Sequence, residues 1–326
     1  MRRLLKVLRK RIGRCKQAVD RIHRLTGENR FLLLVEIIWS WYRWGASDED
    51  YVRFEFYRKN RREKKRWLTS RLNNHYLVKR ALDERSIMIF DHKDVFDKVF
   101  KDYIKHDVLI AKEHSETEIV GFIHKYGEVI VKPSNGALGI GIFKLSTNDE
   151  DGIVRLLDRV KKGQDLILEQ IIVEHPEMSR LNPTSVNTIR VITMVDAQGI
   201  PHVLNTIAMI GADTGCVSNT HSGGVLCHID PDTGVIDHLG HDVSGIPYLK
   251  HPITGIVLPG YQIPNWDGIE TYAKSLAMVV PSGRYIGWDI VILDEGYDVI
   301  EGNIHPGQGN QATDGVGRWQ TIKKML

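Results

Sequence analysis

The chain changes character near Val129, and this change limits the folds that it can adopt. From there onward, short runs rich in β-branched residues alternate with Gly, Pro and Asp, which predicts short strands joined by turns. Helices are predicted at 150–161 and 267–280. Before about residue 86 the pattern is helical and rich in Arg, Lys, Leu and Trp. The sequence therefore predicts an α+β fold dominated by antiparallel strands, behind a helical N-terminal region.

A shorter transition region joins these two parts. SIMIF (86–90) has the composition of a short strand, and DHKDVFDKVFKDYIKH (91–106) has a helical pattern. Hydrophobic residues make up 42% of the 326 residues and charged residues 26%, as in an ordinary globular protein. Cys15, Cys216 and Cys227 lie far apart without a CxxC pair, which argues against a zinc ribbon or a disulfide framework. With no signal-peptide pattern, we expect a reducing, cytoplasmic location.

Positive charge is concentrated at the N-terminus. Residues 1–66 carry 20 Lys and Arg against 8 Asp and Glu, a net charge of +12, whereas the remainder carries a net charge of −9. The basic helix that opens the chain could lie on a membrane surface or an acidic partner, or it could simply be a solvated face. FLLLVEIIWSWY (31–42) is too short to span a bilayer and contains Glu36, so we predict a buried helix.

A glycine-rich loop lies between two of the predicted strands. In VIVKPSNGALGIGI (129–142), Lys132 ends the first strand and three glycines follow, at Gly136, Gly139 and Gly141. Glycine lets a backbone approach a phosphate closely, although such a hairpin can also be no more than a turn. The loop does not open a helix, so it is neither a Walker loop nor a dinucleotide-binding loop.

Charged residues interrupt two of the later strands. LILEQII (166–172) ends in polar Glu169 and Gln170, and it could offer main-chain groups to a purine edge or be only a buried strand. In NTIRVITMV (187–195), Arg190 interrupts an otherwise apolar strand, where an unpaired guanidinium would be costly. Arg190 could therefore bind a phosphate or form a structural salt bridge.

The segment GWDIVILDEGYDVIEGNIHPG (287–307) predicts a hairpin whose polar side chains could hold a metal ion or could simply be strand polar groups. Its turn is DEGYD, and Glu301 and Asn303 lie two residues apart on the second strand, so both side chains point to one face. Asp289 on the first strand can meet them. Two carboxylates and an amide are oxygen ligands that suit Mg²⁺.

These motifs in this order resemble the ATP-grasp family over roughly residues 90–326. VSNTHSGGVLCHIDPDTGVI (217–236) is most similar to the sugar-transfer-associated, or TupA-like, branch. The resemblance implies an ATP-grasp fold, in which two α+β subdomains clasp ATP. With the helical, basic pattern that precedes it, we predict a basic helical region at 1–85 and an ATP-grasp domain at 86–326. Within that domain, we expect a lid subdomain at 129–172 and a metal- and acceptor-binding subdomain at 180–326.

The resemblance also implies roles for individual residues. Lys132 and an earlier lysine would contact the ATP phosphates, and we choose Lys98 over the alternative Lys93. An acid would bind the ribose hydroxyls, either Glu177, which we choose, or Glu174. The remaining implied contacts are a phosphate lid at Gly136, Gly139 and Gly141, adenine binding by Glu169, Gln170 and Ile172, transition-state stabilisation by Arg190, and Mg²⁺ (or Mn²⁺) binding by Asp289, Glu301 and Asn303.

The implied activity is an ADP-forming ligase that joins a carboxylate to an amine, or a similar nucleophile, through an acyl phosphate. The acceptor, a small molecule, glycan or peptide, would meet SNTHSGG (218–224) and HPGQGNQ (305–311), with His221, Gln308 and above all His305 available for binding or proton transfer. A small-molecule kinase and a non-catalytic protein that binds nucleic acid or membrane through residues 1–66 remain alternatives. We expect no specific nucleic-acid partner, because the basic segment lacks a stacking platform.

Overall fold

The structure is a computed structural model, and it describes residues 2–136, 140–212 and 224–326, with side chains from residue 12 onward. The chain forms two compact units. One comprises the chain up to residue 80 together with 307–326, and the other comprises 81–306. The sequence assigns 307–326 to the ATP-grasp domain, whereas the structure groups this segment with the N-terminal helices.

The first unit is helical. Its helices and the irregular segments between them share one apolar core. The large buried side chains of this core are Ile22, Leu33, Ile37, Tyr51, Phe54, Phe56 and Trp67. Its helices are α1 (Arg2–Thr26), α2 (Arg30–Trp44), α3 (Asp48–Arg53), α4 (Arg61–Lys64), α5 (Ser70–Leu72), α6 (Val78–Ala81), which runs across the boundary, and, near the C-terminus, α13 (Trp319–Met325).

Hydrogen bonds tie the C-terminal segment into this unit. The Gln311 side chain accepts from the backbone N–H of Leu68 at 3.0 Å and of Arg318 at 2.8 Å, and it donates to the Leu68 carbonyl at 2.9 Å. The Trp319 N–H donates to the Arg66 carbonyl at 2.8 Å. Both the oxygen and the NH₂ group of this buried amide are hydrogen-bonded, so breaking these contacts would leave buried polar groups unpaired.

Helix α2 forms where the sequence predicts a helix, but the prediction that it is buried is wrong. The Asn29 side chain caps its start, and Gly45 ends it with a left-handed φ of 69°. Its buried residues are Leu33, Ile37 and Ser40, which follow one helical stripe. Most of its remaining apolar side chains are exposed to solvent.

The prediction of a strand at SIMIF is also wrong, because this stretch lies in helix α7 (Glu84–Asp91). The Asp83 side chain accepts from the Ser86 N–H at 2.7 Å, and the Ser86 hydroxyl accepts from the Asp83 N–H at 3.0 Å. This reciprocal cap starts a helix in spite of the β-branched composition.

The second unit contains two sheets. The small sheet has the order β1-β4-β2-β3 and is antiparallel throughout. Ile119 and Ile123 of α9 and Leu156 of α10 are buried in the core that it shares with these helices. Its elements are β1 (Val108–Ile110), β2 (Glu128–Pro133), β3 (Phe143–Ser146), β4 (Leu166–Gln170), α9 (Glu116–Tyr126) and α10 (Glu150–Lys161).

The large sheet has the order β11-β10-β5-β6-β7-β8-β9 and is likewise antiparallel. Ala273 and Leu276 of helix α12 lie in its apolar core. Its elements, with the other helices of this unit, are β5 (Thr188–Val195), β6 (Pro201–Ile210), β7 (Val225–His228), β8 (Gly240–His241), β9 (Pro247–Tyr248), β10 (Tyr285–Ile292), β11 (Tyr297–Asn303), α8 (Lys93–Val99), α11 (Pro176–Leu181) and α12 (Ile269–Val279).

These elements confirm the predicted α+β class, both hairpins and the helices near 150–161 and 267–280. Both sheets are antiparallel, as expected from short strands joined by turns. Among the described residues, no helix is both long and apolar enough to cross a bilayer.

Candidate functional site

A cavity of about 670 Å³ lies in the second unit and is lined by residues of both sheets. Ligand pockets in proteins have volumes of about 300–1,000 Å³, so the cavity can hold a sizeable small molecule. Most of the residues that the sequence singles out line it. They are Lys132, Gly136, Glu169, Gln170, Ile172, Arg190, Asp289, Glu301, Asn303 and His305.

Lys132 is directed into the cavity by strand alternation. Val129 and Val131 of β2 are fully buried in the core of the small sheet, so Ile130 and Lys132 face the other side. The Lys132 ammonium forms an ion pair with the Glu169 carboxylate of β4. Although burial opposes both charges, this pairing raises the pKa of Lys132 and lowers that of Glu169 to about 2. Both groups are therefore charged at neutral pH.

His106 continues this cluster behind Glu169. Its Nε2 lies 3.6 Å from Glu169 Oε1, and its Nδ1 donates to Asp298 Oδ2 at 2.7 Å. Asp298 also accepts from the backbone N–H groups of Lys105 and His106, at 2.9 and 3.1 Å. Burial disfavours the imidazolium, but the two carboxylates raise the pKa of His106 to about 9. The Lys132–Glu169–His106–Asp298 group is the lysine cluster below.

Lys93 lies at the start of α8 and reaches the glycine-rich loop. Its ammonium donates to the Gly136 carbonyl at 2.8 Å and lies 3.9 Å from Glu301 Oε2. It also lines the cavity. A single side chain therefore connects the loop after β2 with the carboxylates of β11.

Arg190, Asp289 and Glu301 lie side by side on neighbouring strands. The sheet register pairs Arg190 of β5 with Asp289 of β10, and Asp289 with Glu301 of β11. The guanidinium donates to both carboxylate oxygens of Asp289 at 2.7 Å, in a bidentate pair. Asn303 Nδ2 donates to Glu301 at 3.0 Å and lies 3.4 Å from Asp289 Oδ2. This group of four residues is the carboxylate cluster below.

The electrostatics of this cluster suit a cation. Burial raises the pKa of Asp289 to about 6 even though Arg190 opposes that rise. Lys93 and the Asn303 amide hold the pKa of Glu301 below its ordinary value against the effect of burial. Two adjacent carboxylates share one guanidinium, and Asn303 can present its amide oxygen by rotating about χ2. This set of oxygen donors fits Mg²⁺.

The end of β4 and the chain after it line another part of the cavity. Beyond Gln170, the chain leaves the strand and lines the cavity through Ile172 and Glu174. The Glu174 carboxylate is buried, and it accepts from the backbone and the side chain of Asn187, both at 2.9 Å. Burial raises the pKa of Glu174 to about 8. This part of the cavity is therefore an apolar slot that contains a few polar groups.

Three of the chosen residues are not among the described residues that line the cavity. Lys98 pairs with Glu113 at the surface, because the far side of α8 carries it away from the cavity that Lys93 lines. Glu177 pairs with exposed Arg180 at 2.7 Å, whereas the alternative acid Glu174 lines the cavity. The third residue, Gly141, adopts a φ of 82° in the loop, next to Pro133.

Other predicted residues lie in the first unit or outside the described residues. Gly139, His221 and most of the 218–224 loop lie outside the described residues. Gln308 is in the first unit, where its amide donates to Asp50 and to the Ser70 hydroxyl at 3.1 and 2.8 Å. These two bonds connect Gln308 to α3 and to the start of α5.

Sequence reasoning missed His106, Asp298 and Asp97. Asp97 of α8 is buried close to Lys132, and burial raises its pKa to about 7. For the two aspartates, the sequence offers one hint of a buried charge: a carboxylate stands where the helical or strand pattern calls for an apolar side chain, as at Asp298 of β11. For His106 the sequence contains no such signal.

A family model described as "Sugar-transfer associated ATP-grasp" matches residues 72–325. This match and the two-sheet fold around the cavity define an ATP-grasp protein. The chain belongs to the sugar-transfer associated ATP-grasp family. The resemblance inferred from the motifs is thereby confirmed.

Several solved structures are similar to this chain at low identity. The ligase PsnB with minimal precursor, Mg and ADP has 15% identity and a TM-score of 0.40, over 68% of this chain and 52% of that one. The ADP complex of purK, N5-carboxyaminoimidazole ribonucleotide synthetase, has 12% identity and a TM-score of 0.43, over 70% and 52%. D-alanyl-alanine synthetase A from Vibrio cholerae O1 biovar eltor has 13% identity and a TM-score of 0.41, over 66% and 55%.

The chain thus spans about half the length of these structural relatives. With TM-scores below 0.5, they add nothing to the family assignment, which rests on the family model. No curated protein matches the sequence.

Proposed function

We propose that this protein is an ATP-dependent ligase that joins a carboxylate to an amine and releases ADP. The observation that supports this most is the convergence of Lys132, Arg190, Asp289 and Glu301 in one cavity. Phosphoryl transfer needs cations that stabilise phosphate oxygens, together with oxygen ligands for a metal ion. It needs no nucleophilic side chain, because ATP creates the leaving group.

The nucleotide would extend from the end of β4 to the carboxylate cluster. The adenine would lie along the chain from Gln170 to Ile172, with Glu174 near the ribose. Lys132 and Lys93 would contact the phosphates, with Gly136 allowing the loop to approach them. Glu169 would hold Lys132 in place and keep it charged, since the two side chains already form an ion pair.

Asp289, Glu301 and Asn303 would hold Mg²⁺, or Mn²⁺ in its place, at the phosphate end. When bound, the ion would neutralise charge on the phosphate oxygens. Arg190 lies beside this set at 2.7 Å from Asp289, and it would stabilise the charge on the transferred phosphoryl group.

Two displacement steps would follow. A carboxylate oxygen of the first substrate attacks the γ-phosphorus, the bond to the ADP oxygen breaks, and an acyl phosphate forms. The amine of the acceptor then attacks the acyl carbon, inorganic phosphate leaves, and the C–N bond is formed. His305 is exposed at the cavity wall and would accept the proton that the amine loses. The acceptor would be a small molecule, a glycan or a peptide, and the reaction would take place in the cytoplasm, where ATP is available.

A substrate screen tests this proposal. ADP release is measured with carboxylates and amines alone and in pairs, and the product is identified by mass. We expect ADP release that depends on both substrates and a product with a new C–N bond. A phosphorylated product formed from one substrate alone would show a kinase instead. ATP binding without any turnover over a broad panel would favour a non-catalytic role.

A further inference from the structure

Helix α2 exposes an unusually apolar surface for a helix with one buried side. Its solvent-facing side chains include Phe31 at 71% exposure, Ile38 at 55% and Tyr42 at 67%. Val35 and Trp39 are also about half exposed, at 49% and 47%. Soluble proteins rarely expose contiguous apolar patches of this kind without a partner.

The exposed residues form one continuous stripe. At 3.6 residues per turn, Phe31, Val35, Ile38 and Tyr42 lie on the side opposite the buried stripe of Leu33 and Ile37, with Trp39 beside them. We call Phe31, Val35, Ile38, Trp39 and Tyr42 the outer face. None of these five side chains is charged. The basic residues of α2, Arg30 and Arg43, lie at its two ends.

Helix α1 adds strong positive charge to the unit that carries the outer face. It carries ten Lys and Arg residues against one acid, Asp20. It packs on α2, and Ile22 of α1 belongs to the same buried core as Leu33 and Ile37 of α2. Basic side chains of α1 such as Lys16 and Arg24 remain exposed.

We propose that the outer face docks on an anionic lipid surface, with α2 lying in the plane of the membrane and α1 beside it. A helix of 15 residues is about 22 Å long, shorter than the hydrocarbon core of about 30 Å, so it would lie on the bilayer. Trp and Tyr favour the boundary between headgroups and acyl chains. Basic residues next to an apolar helix face favour anionic headgroups.

Charge favours an anionic membrane over two other partners, a second copy of the chain and a nucleic acid. If the outer faces of two copies met, the two strongly basic α1 helices would be brought close together, and their repulsion would oppose the contact. A nucleic acid would need cations on the surface that it contacts, whereas the outer face has none. An anionic membrane satisfies the apolar face and the adjacent charges together.

Vesicle flotation with the full chain tests the proposal. Vesicles of phosphatidylcholine alone are compared with vesicles that also contain phosphatidylserine. The outer-face variant is Phe31→Ser with Ile38→Ser and Tyr42→Ser. Its matched control replaces three exposed apolar residues of the second unit by Ser, at Val154, Leu249 and Ile253, which are 65%, 56% and 45% exposed.

We expect wild type and control to float with the anionic vesicles only. The outer-face variant should bind them at least about tenfold more weakly, because it loses the apolar area that enters the lipid. A second variant, Lys16→Glu with Arg24→Glu, leaves the outer face intact. It should weaken binding by about fivefold or more per reversed residue, and added salt should reduce wild-type binding. This variant tests the proposal even if the outer-face variant fails to fold.

Four outcomes would overturn the proposal. They are a wild type that does not float, equal binding to neutral and anionic vesicles, an outer-face variant that binds as well as its control, and charge reversals without effect. A dimer in ultracentrifugation that the outer-face variant abolishes, without vesicle binding, would assign the face to a second copy. None of these readouts depends on ligase activity, so the docking surface and the proposed function can fail separately.

Discussion

The lysine cluster and the carboxylate cluster differ in how their charges are balanced. In the lysine cluster, the cations Lys132 and His106 alternate with the carboxylates of Glu169 and Asp298. Within the carboxylate cluster, Arg190 faces Asp289 and Glu301, and Lys93, which is not a member, lies 3.9 Å from Glu301. Counted over its own members, the lysine cluster is neutral, whereas the carboxylate cluster has one more carboxylate than cations.

This difference separates two tasks. A self-balanced cluster keeps its lysine charged and fixed before any ligand arrives, which is what positioning requires. A cluster with excess carboxylate is stabilised by a bound cation and is costly to bury without one. We therefore propose that the first cluster positions phosphates and that the second binds the metal ion, and four predictions test this division.

The largest effect should come from Glu301→Gln in the carboxylate cluster. The substitution removes one negative charge and nearly preserves shape, so the protein should fold while ADP release falls by about 100-fold or more. Extra Mg²⁺ should restore part of the rate. The control is Glu295→Gln, an exposed carboxylate in the turn of the same hairpin. Turnover with the parent rate and the parent Mg²⁺ dependence would show that Glu301 is not a metal ligand.

The next effect should come from Lys132→Ala in the lysine cluster. Loss of hydrogen bonds to a charged group should weaken ATP binding by about 1–3 kcal/mol, measured by calorimetry on the folded variant. Lys161→Ala, which removes an exposed lysine of α10, should leave ATP affinity unchanged. Equal affinities for parent and Lys132→Ala would place the nucleotide elsewhere.

His106→Gln should change how stability depends on pH. The pKa of His106 is raised from 6.5 to about 9, so its stabilising contribution is complete below pH 6.5 and is lost as the pH rises through 9. The variant should therefore be less stable than the parent at pH 6, by on the order of 2 kcal/mol, and the gap should close near pH 9.5. Chemical unfolding at several pH values measures this difference.

Comparing the parent with the variant separates the contribution of His106 to the pH dependence of stability from the contributions of other titrating groups. Burial also raises the pKa values of Glu174 and Asp97, so both contribute to the pH dependence of the parent. His202→Gln is the control, since His202 is partly exposed and contacts only Asp196 among the ion pairs described. A gap between parent and His106→Gln that stays constant from pH 6 to pH 9.5 would contradict a charged His106.

The smallest effect should distinguish two lysines of one helix. Lys93→Met should raise the KM for ATP by about tenfold, because it removes a cation from the cavity wall. Lys98→Met should leave the KM unchanged, since Lys98 pairs with Glu113 at the surface. Both substitutions replace Lys by Met, and both lysines lie in α8. A larger effect for Lys98 than for Lys93 would reverse the assignment.

These two lysines show where sequence reasoning reaches its limit. Five residues separate them on α8, which turns their side chains roughly 140° apart. Only one of them can face the cavity, and the sequence does not say which side of the helix is turned inward. On strands the case is simpler, because alternation fixes the face: Asp289, Glu301 and Asn303 meet as predicted.

Contacts over long sequence separation were the least predictable. His106 and Asp298 lie 192 residues apart, one at the end of a predicted helix and the other in a predicted turn, so the sequence gives no reason to pair them. Helix α2 shows a different limit. Its composition suggests burial, but a helix in this unit buries only one stripe, so apolar residues on the other side remain exposed.

The return of residues 307–326 to the first unit has a consequence for the order of folding during synthesis. Leu68 and Arg66 are made early, but their hydrogen-bond partners Gln311 and Trp319 come roughly 10–50 s later at ordinary elongation rates. The second unit, 81–306, has all its strands before then. The N-terminal helices therefore remain incomplete while the second unit can already fold, so the part of the chain that is translated first is completed last.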